Sequence, residues 1–225
     1  MLKLTTQTLD ILKNFASINP NLVVKEGSQL ATIAEAKNIM ATSKVAEKFT
    51  STFGVYDLNE FLSALSLVDD PQLEFTTDSV VISDKDYSTC IRYRFANPSV
   101  LTAPTKAITM PEAELVVPIS ADVLAKVRKA ASALGHSILA IEGEKGKINI
   151  AIRDPKDASS NTYTIALDKS NAFKSTFSFQ FLIANLKLLS GDYTVSISSK
   201  LISQWKHTTN DVTYFIALEK TSTIN

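Results

Sequence analysis

Residues 97–118 read Asn97-Pro98-Ser99-Val100-Leu101-Thr102-Ala103-Pro104-Thr105-Lys106-Ala107-Ile108-Thr109-Met110-Pro111-Glu112-Ala113-Glu114-Leu115-Val116-Val117-Pro118. The prolines at 98, 104, 111 and 118 interrupt any helical period, and each lacks the backbone donor that an interior strand needs. The stretch predicts an extended, exposed connector with a structural unit on either side, so the chain divides as 1–97, 98–118 and 119–225. A length of 225 residues suits one large or two small domains.

Working outward, four segments carry helical periodicity and most of the remainder alternates like strand. The first helix is expected at Thr6 to Ser17, with Leu9, Leu12, Phe15 and Ala16 inward and Asn19-Pro20 as its stop. The second is expected at Leu58 to Val68, capped by Asp57, with Leu58, Phe61, Leu62 and Leu65 buried. The third runs from Ala121 to Leu134 between Ser120 as N-cap and Gly135 as stop, with Leu124, Val127, Ala131 and Leu134 inward. The fourth, Phe179 to Leu189, is apolar around most of its circumference and ends at Ser190-Gly191-Asp192. Strands are expected near residues 21–27, 80–83, 137–142, 147–152, 162–167, 193–198 and 212–218, with Gly143 to Gly146 as a hairpin turn. Both halves read helix, strands, helix, strands. The fold class is therefore α+β, built as two similar units of two helices plus β-sheets.

Composition narrows the function. The chain is 45% hydrophobic and 20% charged, which fits a globular protein. It has 23 basic and 23 acidic residues, so it is no strongly basic nucleic-acid wrapper. The charge splits along the chain: net −3 before residue 99 (9 basic, 12 acidic) and +3 after it (14 basic, 11 acidic). Opposite ends of such a chain can associate head to tail, and a chance fluctuation of three charges is the alternative reading. No window approaches the roughly 18 apolar residues of a membrane span, and the start lacks a signal-peptide pattern, so a cytoplasmic chain without membrane contact is expected. Cys90 is the single cysteine, read as a small buried strand residue, and His136 and His207 stand apart from any metal-ligand spacing. Asp84-Lys85-Asp86 reads as a solvated turn, Trp205 as core, and His136 as a helix-end residue. Phosphate-binding and dinucleotide loops and the esterase elbow are absent, and no cofactor or metal is expected. A carboxylate hydrolase using Glu142 or Asp168 is the enzyme alternative, but nothing organises those acids into a site.

Several stretches taken together resemble the DNA sliding clamps of T-even-like bacteriophages. They are Leu12-Lys13-Asn14-Phe15-Ala16-Ser17-Ile18-Asn19, Val55-Tyr56-Asp57-Leu58-Asn59-Glu60-Phe61-Leu62 with Leu65-Ser66-Leu67-Val68, and Ala96-Asn97-Pro98-Ser99-Val100 with Ala103-Pro104. Tyr214-Phe215-Ile216-Ala217-Leu218-Glu219 completes the set, while residues 27–52 and 153–176 carry no part of it. The resemblance implies the DNA clamp fold in a homotrimeric ring of six domains around double-stranded DNA. It implies tethering of the replicative DNA polymerase, loading by a clamp-loader ATPase, contact with late-transcription factors, and work in the host bacterial cytoplasm during infection.

A pore that slides on DNA needs weak, sequence-independent attraction to phosphates. The residues expected to supply it are Lys13, Lys126, Lys129 and Lys187, with Lys3, Arg128 and the loop residues Lys145 and Lys147 as supplements. The second helix offers Glu60 and no base. The resemblance further implies a groove for a partner's apolar tail, assigned to Val100, Leu101, Phe215, Ala217 and Leu218. The competing non-enzymatic reading is a two-domain β-rich scaffold or virion protein that never meets DNA.

Overall fold

The computed structural model describes residues 1–144, 146–157, 159–168 and 176–224. The chain separates into two compact units, Met1–Ala107 and Ile108–Asn225, so the change of unit falls inside the proline-bearing stretch.

The first unit opens with α1 (Thr6–Ile18), whose N-cap Thr5 accepts the Thr8 N–H at 3.2 Å. The helix buries Thr8, Ile11, Leu12, Phe15 and Ile18. This face is turned from the expected Leu9 and Ala16, which stay half-buried, because Ile11 and Ile18 line up with Leu12 and Phe15 and remove more apolar area. β1 (Leu22–Val24), β2 (Gly27–Ile33), β3 (Ile39–Phe49) and β4 (Phe53–Val55) follow, and β1 pairs with β4 as β2 does with β3. In α2 (Leu58–Ser66) the Asp57 carboxylate caps the Asn59 and Glu60 N–H groups, and Leu58, Phe61 and Leu65 are buried. β5 (Gln72–Phe75), β6 (Ser79–Ser83) and β7 (Cys90–Arg94) form an antiparallel sheet with β7 at its edge. Cys90 is exposed there, not buried as its neighbours implied, because it falls on the outward phase of this edge strand. Asp84 accepts from the Ser88 and Thr89 N–H groups and so shapes the turn between β6 and β7. Phe49, Phe53, Phe75 and Phe95 cluster at centroid separations from 4.6 to 6.4 Å and hold these elements together.

The second unit begins with β8 (Leu115–Ile119), so the last part of the expected connector is a strand. Pro118 is tolerated because β8 is the terminal strand of its sheet. α3 (Ala121–Leu134) is capped by Ser120 and ends at Gly135, whose φ of 70° suits glycine. Then come β9 (Ile138–Glu144), β10 (Lys147–Arg153), β11 (Tyr163–Asp168), β12 (Phe177–Leu182), β13 (Tyr193–Ser198), β14 (Ile202–His207), β15 (Val212–Ala217) and β16 (Thr223–Ile224). One sheet runs β11-β10-β9-β12-β16; in another, β15, β14, β13 and β8 are successive neighbours. Trp205 is fully buried between Phe181 and Tyr193, with its indole N–H donated to Ser203.

The helix expected at Phe179 to Leu189 is absent. Its residues form the end of β12, a single 3-10 turn (Ile183–Asn185) and an extended segment. Phe177, Phe179 and Phe181 recur with period two and pair β12 with β9, and that pairing overrides the helical reading of a mostly apolar run. The second unit thus keeps the order of the first with one turn of 3-10 helix in place of α2.

The alternation of β3 turns Val45, Glu47 and Phe49 inward. The Glu47 carboxylate, 5% exposed, accepts the Thr5 N–H and the Thr8 hydroxyl at the positive end of α1. Burial alone would raise its pKa; the hydrogen bonds from Thr8 and Thr5 outweigh it and hold the group below the ordinary glutamate value. Glu47→Gln is expected to destabilise the fold by about 1–3 kcal/mol at neutral pH. Since the folded pKa is depressed, the stabilisation is complete above the unfolded value of about 4.3 and fades as pH falls through the lower folded value. Urea unfolding of both proteins between neutral and acid pH checks this: the gap closes toward acid, whereas a constant gap contradicts it.

Candidate functional site

α3 lies on β10 through Leu124, Val127 and Ala131. The opposite face presents Asp122, Lys126, Lys129 and Ala133, all exposed, so ammonium groups stand among short side chains. Lys126 pairs with Asp122 one turn earlier at 2.7 Å, and that carboxylate raises the lysine pKa. Lys129 has no ion-pair partner among the described residues. Arg128 is exposed and lies beside this face, with its guanidinium donating to the Leu186 carbonyl at 3.2 Å.

Lys187 belongs to the extended segment after the 3-10 turn and is exposed. Two buried tyrosines fix that segment: the Tyr193 hydroxyl donates to the Leu189 carbonyl at 2.6 Å, and the Tyr214 oxygen accepts the Leu189 N–H at 3.1 Å. Burial pushes the Tyr214 hydroxyl up to about 12, so both stay neutral at physiological pH. Lys147 is exposed at the start of β10; Lys145 lies outside the described residues.

In the first unit, Lys13 points outward from α1 and sits 3.6 Å from Asp10, and Lys3 pairs with Asp70. The outer face of α2 shows Asn59, Glu60, Ser63, Ser66 and Leu67 and no base. The exposed helix cations therefore concentrate on α3.

The first residues of the connector are held by two asparagines. The Asn19 amide, 1% exposed, donates to the carbonyls of Ile33 at 2.8 Å and Thr102 at 3.4 Å. Asn21 accepts the Thr102 N–H at 3.3 Å and donates to the Tyr56 carbonyl at 2.7 Å. Leu101 is 9% exposed, and a Cβ placed on Gly54 would lie 2.6 Å from its Cδ1; only glycine lets Leu101 seat there. Val100 is exposed beside it.

Beyond this anchor, residues 103–107 overhang the β2–β3 face and enclose a cleft of about 250 Å³. Its apolar walls are Val23, Ala31, Met40, Ala103 and Pro104, and Lys25, Glu26 and Lys106 stand at its rim. Of the residues assigned to a partner groove, Leu101 is an anchor of the connector, while Phe215 and Leu218 are buried and Ala217 half-buried on and just after β15. Asn19, Asn21 and Met40 escaped the sequence reading; the one available signal was a polar Asn-Pro-Asn turn between apolar elements. Glu142 accepts from Arg153 and Ser178, a structural pairing on the second unit's sheet, and the Asp168 side chain lies outside the described residues.

Two solved structures share this architecture at 12% identity, which shows the fold alone. Proliferating Cellular Nuclear Antigen from Entamoeba histolytica covers 94% of this chain and 94% of its own, with a TM-score of 0.69. The PCNA2-PCNA3 complex from Sulfolobus tokodaii covers 94% of this chain and 95% of its own, with a TM-score of 0.61. The fold class is that of DNA clamps, α+β with two similar domains.

Residues 116–220 match the family described as gp45 sliding clamp, C terminal. Curated proteins named Sliding clamp are 31% identical over 97% of this chain and 99% of their own in Vibrio phage KVP40, and 31% over 99% of both in Escherichia phage RB69. The Sliding clamp of Enterobacteria phage T4 is 30% identical over 99% of both chains. The chain belongs to the sliding-clamp family of T4-like bacteriophages, whose members are processivity factors of DNA replication and not enzymes.

The asparagine anchor predicts how the connector behaves. Asn19→Ala removes its two donated hydrogen bonds and the acceptor for the Asn21 N–H. Limited proteolysis between residues 102 and 114 is expected to accelerate by about tenfold, the equivalent of about 1.4 kcal/mol of local opening. An unchanged cleavage rate contradicts the anchor.

Proposed function

We propose that this chain closes with two copies of itself into a homotrimeric ring that encircles double-stranded DNA and tethers the replicative DNA polymerase. A clamp-loader ATPase opens and places the ring, late-transcription factors are further partners, and the setting is the host bacterial cytoplasm during infection. The observation that carries this reading is the full-length likeness to sliding clamps in a chain whose exposed helix cations concentrate on one outward face of α3.

Two further features support it. β7 is the terminal strand of a sheet in the first unit and β11 of a sheet in the second, so each leaves backbone donors and acceptors for another strand. An edge on one unit that pairs with an edge on the other unit of the next copy is a heterologous contact, which closes into a ring when the rotation permits. The charge split of −3 (9 basic, 12 acidic before residue 99) and +3 (14 basic, 11 acidic after it) favours the same head-to-tail order. On α3, Lys126 and Lys129 supply attraction to phosphates without base-edge readers, which is what a sliding contact requires. The cleft beneath residues 103–107, with apolar walls and a polar rim, offers a seat for a polymerase tail, with Val100 exposed nearby.

The test combines assembly with activity. Mass measurement in solution is expected to give three copies for the native chain and for the double variant Lys126→Glu, Lys129→Glu. The variant is expected to lose most clamp-dependent processivity, and the native protein's stimulation to fall with added salt. A monomer or dimer contradicts the ring, and full processivity in the variant removes α3 from the DNA-facing surface.

A further inference from the structure

The rim of the connector cleft has a charge opposite to that of its surroundings. The first unit, residues 1–107, carries net −2 (10 basic, 12 acidic), yet the cleft mouth holds Lys25 and Lys106 against one carboxylate, Glu26. The two lysines come from different walls: Lys25 from the turn between β1 and β2, Lys106 from the connector. Both are exposed, and neither has an ion-pair partner among the described residues. Between them the floor sets the apolar Val23, Ala31, Met40 and Pro104 beside the polar Gln29 and Thr42.

We propose that Lys25 and Lys106 select the occupant of this cleft: an extended partner segment whose apolar side chains fill the floor and whose flanking acidic side chains meet the two ammonium groups. This rests on the reading of the cleft as the seat of a polymerase tail and adds the chemistry by which the tail is chosen. The floor supplies affinity by removing apolar surface from water, and it accepts many apolar sequences. The rim supplies discrimination. A basic flank faces like charge from two walls, an acidic flank meets opposite charge from both, and Glu26 limits the gain to less than two full pairs. Rim pairs are solvent-exposed, so each is worth a fraction of a kcal/mol and the preference is salt-sensitive.

Fluorescence anisotropy with the full-length protein tests this using three labelled, C-terminally amidated peptides. They share a Leu-Phe-Gly-Leu-Phe core and differ only in flanks of Asp-Asp, Asn-Asn or Lys-Lys. At low salt the acidic peptide is expected to bind about fivefold tighter than the neutral one, with the basic one weakest. The Lys25→Glu, Lys106→Glu variant is expected to reverse that order. High salt brings all three together. Equal affinities for the native protein, or an unreversed order in the variant, overturn the proposal while leaving the seat in place. Ala31→Phe, which fills the cleft, separates the two readings. Neutral-peptide binding that is absent in the native protein, or unaffected by Ala31→Phe, overturns the seat and the selection with it.

Discussion

A helix buries one stripe of its surface, and every α-helix described here spends that stripe inside its own unit. α1 packs on α2 and on β2 and β3, α2 also on β7, and α3 on β10, each through residues spaced three and four apart. The outward faces are left to solvent and to whatever the sequence writes there. On α1 and α2 that is serine and asparagine with Lys13 beside Asp10 and the acid Glu60; on α3 it is Lys126 paired with Asp122, Arg128, Lys129 and alanines. On the proposed function that restraint has a use, because each phosphate neutralised by a basic side chain steepens the salt dependence of binding.

The same economy shapes the connector. Prolines deny it secondary structure between the 3-10 turn at Pro98–Val100 and β8, so its position depends on side chains. Asn19 and Asn21 hold Thr102, and Leu101 fills the space that the missing Cβ of Gly54 leaves open. Residues 103–107 are then carried over an apolar strand face without sealing it. A cleft built this way has two strands for its floor and the connector for its wall.

The legible parts of the fold were those with local chemical markers. Asp57, Ser120 and Gly135 marked helix ends that the structure reproduces. Phe177-Ser178-Phe179-Gln180-Phe181 alternates with the period of a strand, but the apolar residues that follow it from Leu182 also suit a helix, and pairing with β9 decides for strand. Cys90 shows the converse, since whether a strand residue faces in or out depends on which strand lies at the sheet edge. Glu47 was legible in principle, as an acid on the inward phase of an alternating strand, but its partners Thr5 and Thr8 lie about forty residues away. The cleft was hidden for the same reason: Val23, Met40 and Pro104 meet only in the folded unit.

Topology separates a ring from a surface that merely adheres to DNA. The most direct measurement loads the protein onto nicked circular plasmid with clamp loader and ATP, isolates the complex, and linearises the plasmid with a restriction enzyme. A ring stays on the circle through moderate salt and escapes from the free ends once the DNA is cut. Retention that is the same on circular and linear DNA contradicts encirclement, and with it the account of α3, the open edges and the connector as parts of one sliding clamp.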